Sequence, residues 1–380
     1  PRWLFLRGLG LIFFSAFYSL VFQIRGLIGP EGILPAGEYL SSLGQRFGAK
    51  AFWYAPSLLW WVRSDRALSL ICVAGLIASL LLVFNLWPRG SLAVCLVMFL
   101  SFVSAARDFS EYQSDGMLLE AGFLSLFFAP PGLRPRLGES SPPSRASLFM
   151  LRWECFRIYF ESGVVKLASG DLQWRNLTAM DHYYENGPLP NWIGWYVQQL
   201  PHGFHAFATV LTLVVELGLV WMSFLRRPLR LLLFFILTPF QIAIVLTANL
   251  GFINHLVLLL GVLLLDDHFL AMLSGWGKKL RSRNSSIETQ ESKSETGDGR
   301  RAGHEVYPRR AVARRLSRVF SGLCLGWVFY DTTVLLLLLL TRSVPLPLWP
   351  VVALEPFRIA NQYGLFAVMT TARYEIEFQG

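Results

Sequence analysis

Long apolar runs constrain this chain more than any other feature. Residues 3–24, 67–87, 204–225, 229–248 and 319–341 are apolar over about the length needed to cross the hydrocarbon core as a helix. Shorter runs at 91–106, 115–129 and 252–267, with a charge-bearing segment after the 130–147 loop, bring the expected total to about nine crossings. A lipid-facing backbone must satisfy its own polar groups, so the expected fold class is an all-α polytopic membrane protein. The composition agrees, with 54% hydrophobic residues and 30 Phe.

The net charge of +9 does not point to nucleic acid, because residues 278–318 hold twelve Lys/Arg against five Asp/Glu. That is the signature of a cytoplasmic loop. With a cytoplasmic N-terminus and about nine crossings, every strongly basic loop falls on the cytoplasmic side. The long loops 25–66 and 169–202 and the C-terminus then lie on the lumenal or periplasmic side. Residues 1–344 are expected to form the transmembrane domain, with a disordered loop at about 278–312 that is poor in apolar residues. Residues 345–380 read as a juxtamembrane segment followed by the first strand of a truncated, β-rich extracytoplasmic domain, since Arg373 to Phe378 alternate with period two.

The segment from Arg152 to Pro190 carries the chemistry. It starts as a helix and bears Arg152, Glu154, Arg157, Glu161 and Lys166 before breaking at Ser169-Gly170-Asp171. Ionisable side chains at membrane depth are costly and point to function or to internal pairing. At 100° per residue, Glu154, Arg157 and Glu161 share a stripe that can neutralise itself. Lys166 has no acid on its own face, so its partner is another helix, a ligand or interfacial water.

Asp115, Glu120, Glu216, Gln241, Asn254 and His255 add polar groups to neighbouring helices. Singly they read as interhelical hydrogen-bonding residues, and together as the lining of a polar cavity. The loop after the break offers Trp174, His182, Tyr183, Tyr184 and Trp192, either as a binding surface or as interface anchors. His202 and His205 lack a third ligand, the four cysteines have no metal or disulfide spacing, and common soluble catalytic motifs do not occur. No metal site is expected.

The blocks RWLFLRGLGLIFFSAFYSLVFQIRGLIGPEGILPA, DGMLLEAGFLSLFFAP, YFESGVVKLASGDLQW, LTAMDHYYENGPLP and EPFRIANQYGLFAVMTTARYEIEFQG resemble, in order, the lipase maturation factor family. The resemblance implies an endoplasmic reticulum membrane factor that helps secreted dimeric lipases reach a folded, active state, with a lumenal domain after the last span. In a bacterium the equivalent location is the cytoplasmic membrane. Gly163-Val164-Val165-Lys166-Leu167 is also similar to a motif in the membrane domain of vitamin K-dependent gamma-carboxylase, where the matching lysine is catalytic.

Two functions follow from these likenesses. One is a chaperone-like maturation factor with client lipases, or other exported proteins, and membrane lipids as partners. The other is an intramembrane enzyme using Lys166 as base on a quinone or lipid-like substrate. They differ in one structural feature: an enzyme needs a cavity at Lys166, whereas a chaperone works with a filled bundle.

Overall fold

The computed structural model describes residues 1–110, 112–138, 141–187, 189–273, 275 and 308–372. The described residues are helical and contain no strand. Ten longer helices make up the bundle: α1 Arg2–Ile28, α2 Ala36–Phe47, α3 Asp65–Val83, α4 Pro88–Val103, α5 Gln113–Phe128, α6 Arg145–Ala168, α7 His202–Leu213, α8 Arg227–Thr247, α9 Ile253–Gly261 and α10 Pro308–Thr341. The axis of α7 continues through a π-helical turn, Val214–Gly218, and a 3-10 stretch, Leu219–Phe224.

Each segment expected to cross the membrane is helical, but the count of crossings is corrected. Among the described residues five helices are long and apolar enough to span: Arg2–Ile28, Asp65–Val83, His202–Phe224, Arg227–Thr247 and Arg315–Thr341. Pro88–Val103 and Ile253–Leu264 are apolar but shorter. The 16 residues of α5 rise only about 24 Å at 1.5 Å each, and α6 carries five charged residues between Arg152 and Lys166. The expected strand at Arg373 and most of the expected 278–312 loop lie outside the described residues. Residues 308–312 belong to α10, which starts earlier than the apolar run.

The breaks follow local chemistry. Asn85 and Trp87 take positive φ values of 59° and 46°, turning the chain between α3 and α4, and Pro88 opens α4 where its missing N–H is not needed. Ser144 caps α6 by accepting from the Ser147 amide. At its other end Gly170, with φ 84°, lets the chain leave the helix, and Asp171 caps the next short one by accepting from the Gln173 amide.

The core lies where α1 packs on α3, α4 on α5, and α5 on α6. Phe13 and Phe17 of α1 meet Phe99 of α4 edge to face at 6.1 and 5.9 Å. The two ends of the bundle differ in charge. At one end Arg2 donates to the carbonyls of Gly138 and Ser141, Arg89 to Ala129, Arg152 to Leu263 and Arg230 to Leu264. At the opposite end lie the 29–64 and 169–201 loops, tied to the helix ends by contacts such as Ser57 Oγ to the Ser101 carbonyl at 2.7 Å.

Candidate functional site

After α10 the chain stays against the bundle as far as residue 372. A short helix, Trp349–Leu354, and a 3-10 turn, Glu355–Phe357, lead to Arg358 at φ 52°, and from there to residue 372 the backbone has no regular structure. This strap runs along α6, and the charged residues of α6 hold it. Non-helical backbone at such depth is tolerated only where protein satisfies its polar groups.

The satisfaction can be followed residue by residue. Arg157 Nη1 donates to the Asn361 carbonyl at 2.6 Å, and Glu120 Oε2 accepts from the Asn361 amide at 3.0 Å. Glu161 Oε2 accepts from the Tyr363 amide at 2.6 Å, while the Tyr363 hydroxyl donates to Glu120 Oε2 at 2.8 Å. Ser162 Oγ accepts from the Leu365 amide at 3.3 Å, and Lys166 Nζ donates to the Leu365 carbonyl at 3.0 Å. Further along, Trp174 Nε1 donates to the Phe366 carbonyl, Asp171 accepts from the Met369 amide, and Asn186 donates to the Thr370 carbonyl. Arg157, Glu161 and Lys166 sit about one turn apart, so successive turns of one helix grip successive parts of the strap.

Charge balance within this cluster differs from the self-neutralising stripe. Arg157 pairs directly with Glu120 on α5, and Glu161 is the more distant partner at 3.8 Å. The guanidinium also lies 5.1 Å from the Tyr363 ring centroid. Glu154, fully buried on the same stripe, makes no side-chain hydrogen bond within the described residues.

Lys166 finds its partner on another helix. Its ammonium donates to both carboxylate oxygens of Glu216 at 2.9 Å and to the Leu365 carbonyl, which occupies all three of its donors. The Trp174 ring closes the remaining side, 5.1 Å away. Glu216 lies in the π-helical turn, the local distortion that often marks a helix serving a special contact. Gly163 allows the approach, since a Cβ there would come within 2.9 Å of Glu216 Cβ and the Leu217 side chain.

The remaining candidates do not join one cavity. Gln241 donates to Asn254 at 2.7 Å and accepts from the Tyr159 hydroxyl at 3.2 Å, an interhelical network linking α6, α8 and α9. Asp115 and His255 line a separate cavity against α1. In the 169–202 loop, Trp174 is 1% exposed and packs with Tyr183, Tyr184 and Met369 in a small second core, which corrects their expected place on a binding surface. The strap provides the apolar partner that a loop reading could not supply. Burial pushes the phenol of Tyr183 up, and that of Tyr184 as well.

His182 is half-buried, within 3.6 Å of Glu185. Trp192 is 73% exposed, and the short helix Trp192–Gln198 sets Trp195 and Tyr196 beside it, also exposed. Trp195 and Tyr196 were not among the sequence candidates, and neither were Asn361 and Tyr363. For the latter pair the available signal was the Asn-Gln-Tyr-Gly run inside the last block of family resemblance.

Comparison with known proteins bears on the whole of this architecture. The family described as lipase maturation factor transmembrane domain matches residues 1–272. Lipase maturation factor 1 of Bos taurus is 32% identical over 389 residues, covering 100% of this chain and 66% of the relative. The Homo sapiens protein of the same name is 31% identical over 390 residues, with 100% and 65% covered. Lipase maturation factor 2 of Xenopus laevis is 39% identical over 280 residues, 70% of this chain and 39% of the relative. The chain thus spans just under two thirds of the length of the type 1 relatives. No solved structure matches it. The relatives named type 1 align across the strap as well as the helices, and with the match of the transmembrane domain this places the chain in the lipase maturation factor family.

Proposed function

We propose that this chain is the membrane-embedded part of a maturation factor that helps exported lipases fold and become active. The observation that carries the reading is the family match over the transmembrane domain. The close packing around Lys166 supports it. Lys166 is engaged by Glu216 and Leu365, and the cavity lined by Asp115 and His255 does not reach it, so the lysine serves architecture rather than a substrate.

The client-facing surface in this reading is the helix Trp192–Gln198, whose exposed Trp192, Trp195 and Tyr196 resemble the aromatic anchors of binding hot spots. The membrane is that of the endoplasmic reticulum in a eukaryote, with the N-terminus cytoplasmic. The gathering of Arg2, Arg89, Arg134, Arg136 and Arg230 toward one end favours this orientation.

The test is co-expression of the full-length protein with a secreted dimeric lipase in cells lacking their own maturation factor. Replacing Trp192, Trp195 and Tyr196 together with Ala is expected to lower secreted lipase activity severalfold at unchanged level of the factor. Secretion of active lipase equal to that with the unaltered protein would remove this surface from the account. Absence of any rescue by the unaltered protein would remove the maturation reading itself.

A further inference from the structure

A cavity of about 650 Å³ opens between α1, α4 and α9 and does not reach Lys166 or Glu216. Its volume lies within the range of small-molecule sites. Leu11, Ile12 and Leu20 of α1, Phe99 and Phe102 of α4, and Leu259 of α9 give it apolar walls. Gly8 and Leu27 both line it, so it follows α1 for about 28 Å at 1.5 Å per residue, close to the thickness of a hydrocarbon core.

The polar lining gathers toward one end. There α1 and α4 finish while α5 and α9 begin, which brings Gln23, Ser110, Asp115 and His255 to the same level. Gln23 donates to Ser19 at 3.1 Å, and His255 Nδ1 lies 3.3 Å from the Gly251 carbonyl. Asp115 makes no side-chain hydrogen bond to the described residues. The described lining holds no Lys or Arg, so a phosphate finds no cation there. Acceptor oxygens without a cation beside them suit a hydroxylated head. A groove that follows one helix for about 28 Å suits one extended acyl chain with a small head.

We propose that this cavity binds a single-chain neutral lipid of the monoacylglycerol class, its chain lying along α1 and its hydroxyls donating to Asp115 beside His255. The bilayer is the source, and the open side between α1 and α9 is the entrance. Ser15 and Ser19 stand on this wall and are exposed, so they are positions where bulk can be added without displacing core.

The experiment uses the purified chain in detergent with a monoacylglycerol carrying a diazirine in its acyl chain. Labelled peptides are expected from α1 and α4, and excess unlabelled monooleoylglycerol should abolish the labelling while phosphatidylcholine at the same concentration leaves it. Ser15→Phe with Ser19→Phe is expected to reduce labelling at least fivefold. Asp115→Ala should weaken capture of the glycerol-bearing probe about tenfold but not that of a diazirine alkane. Labelling spread over the outer faces of α8 and α10, or removed equally by phosphatidylcholine, would mean boundary lipid only and overturn the proposal. Because the competition needs no variant, it decides the matter even if a substituted chain fails to fold.

Discussion

Lys166 and Glu216 show how a single buried pair is to be weighed. Each ion alone is expensive at this depth, and together they satisfy the ammonium completely with the help of one carbonyl. Lys166→Met leaves the Glu216 carboxylate buried without its cation, and Glu216→Leu leaves the ammonium. Each is expected to cost about 3–5 kcal/mol of stability. The double variant should cost clearly less than the sum, because it leaves no uncompensated charge. Unfolding of all four proteins in detergent measures this coupling. A Lys166→Met chain as stable as the unaltered one would show that the pair does not support the fold, and would reopen Lys166 as a reactive group.

At the scale of the element, the closeness of α6 to the π-helical turn depends on Gly163. Gly163→Ala is expected to cost about 1–3 kcal/mol, since its Cβ would lie 2.9 Å from Glu216 Cβ and one of the two helices must move. Thermal unfolding of the purified chain checks it, with Gly203→Ala as a control, because nothing lies within 4 Å of a Cβ there. Much of this element was legible in the sequence. The break at Gly170 and the burial of Arg157 and Glu161 follow from periodicity and the cost of charge in an apolar setting, and so does the absence of a partner for Lys166 on its own face, with another helix, a ligand and interfacial water all left open. The strap was not legible. Its contacts join residues about 200 positions apart, and Asn361 and Tyr363 carry no periodicity that would place them in a bundle. Trp174, Tyr183 and Tyr184 were misplaced for the same reason, because aromatic rings suit an exposed loop and a small core equally well until the covering segment is known. The crossing count failed differently: apolar length counts segments, but a short helix and a charged one enter the same bundle without meeting a span's requirements.

For the whole molecule, the unequal distribution of arginine makes the orientation testable. In sealed microsomes bearing the full-length protein, Arg134→Cys is expected to react with a membrane-impermeant maleimide at once, and Ser42→Cys only after permeabilisation. Both positions are exposed, whereas Cys72, Cys95 and Cys155 are buried and contribute little background. Equal labelling of both sites before permeabilisation would contradict the proposed topology.

The strap also sets an order of events during synthesis. Arg157 and Glu161 enter the bundle long before Asn361 and Tyr363 exist, and the bond from Arg157 to Asn361 joins residues 204 apart. At about 5–20 residues per second, the ribosome takes roughly ten to forty seconds to deliver them. For that interval α6 carries buried side-chain donors and acceptors for a backbone not yet made, so its contacts are completed only when the strap has been translated. Completion of the membrane domain is thereby timed to the arrival of the segment that follows it.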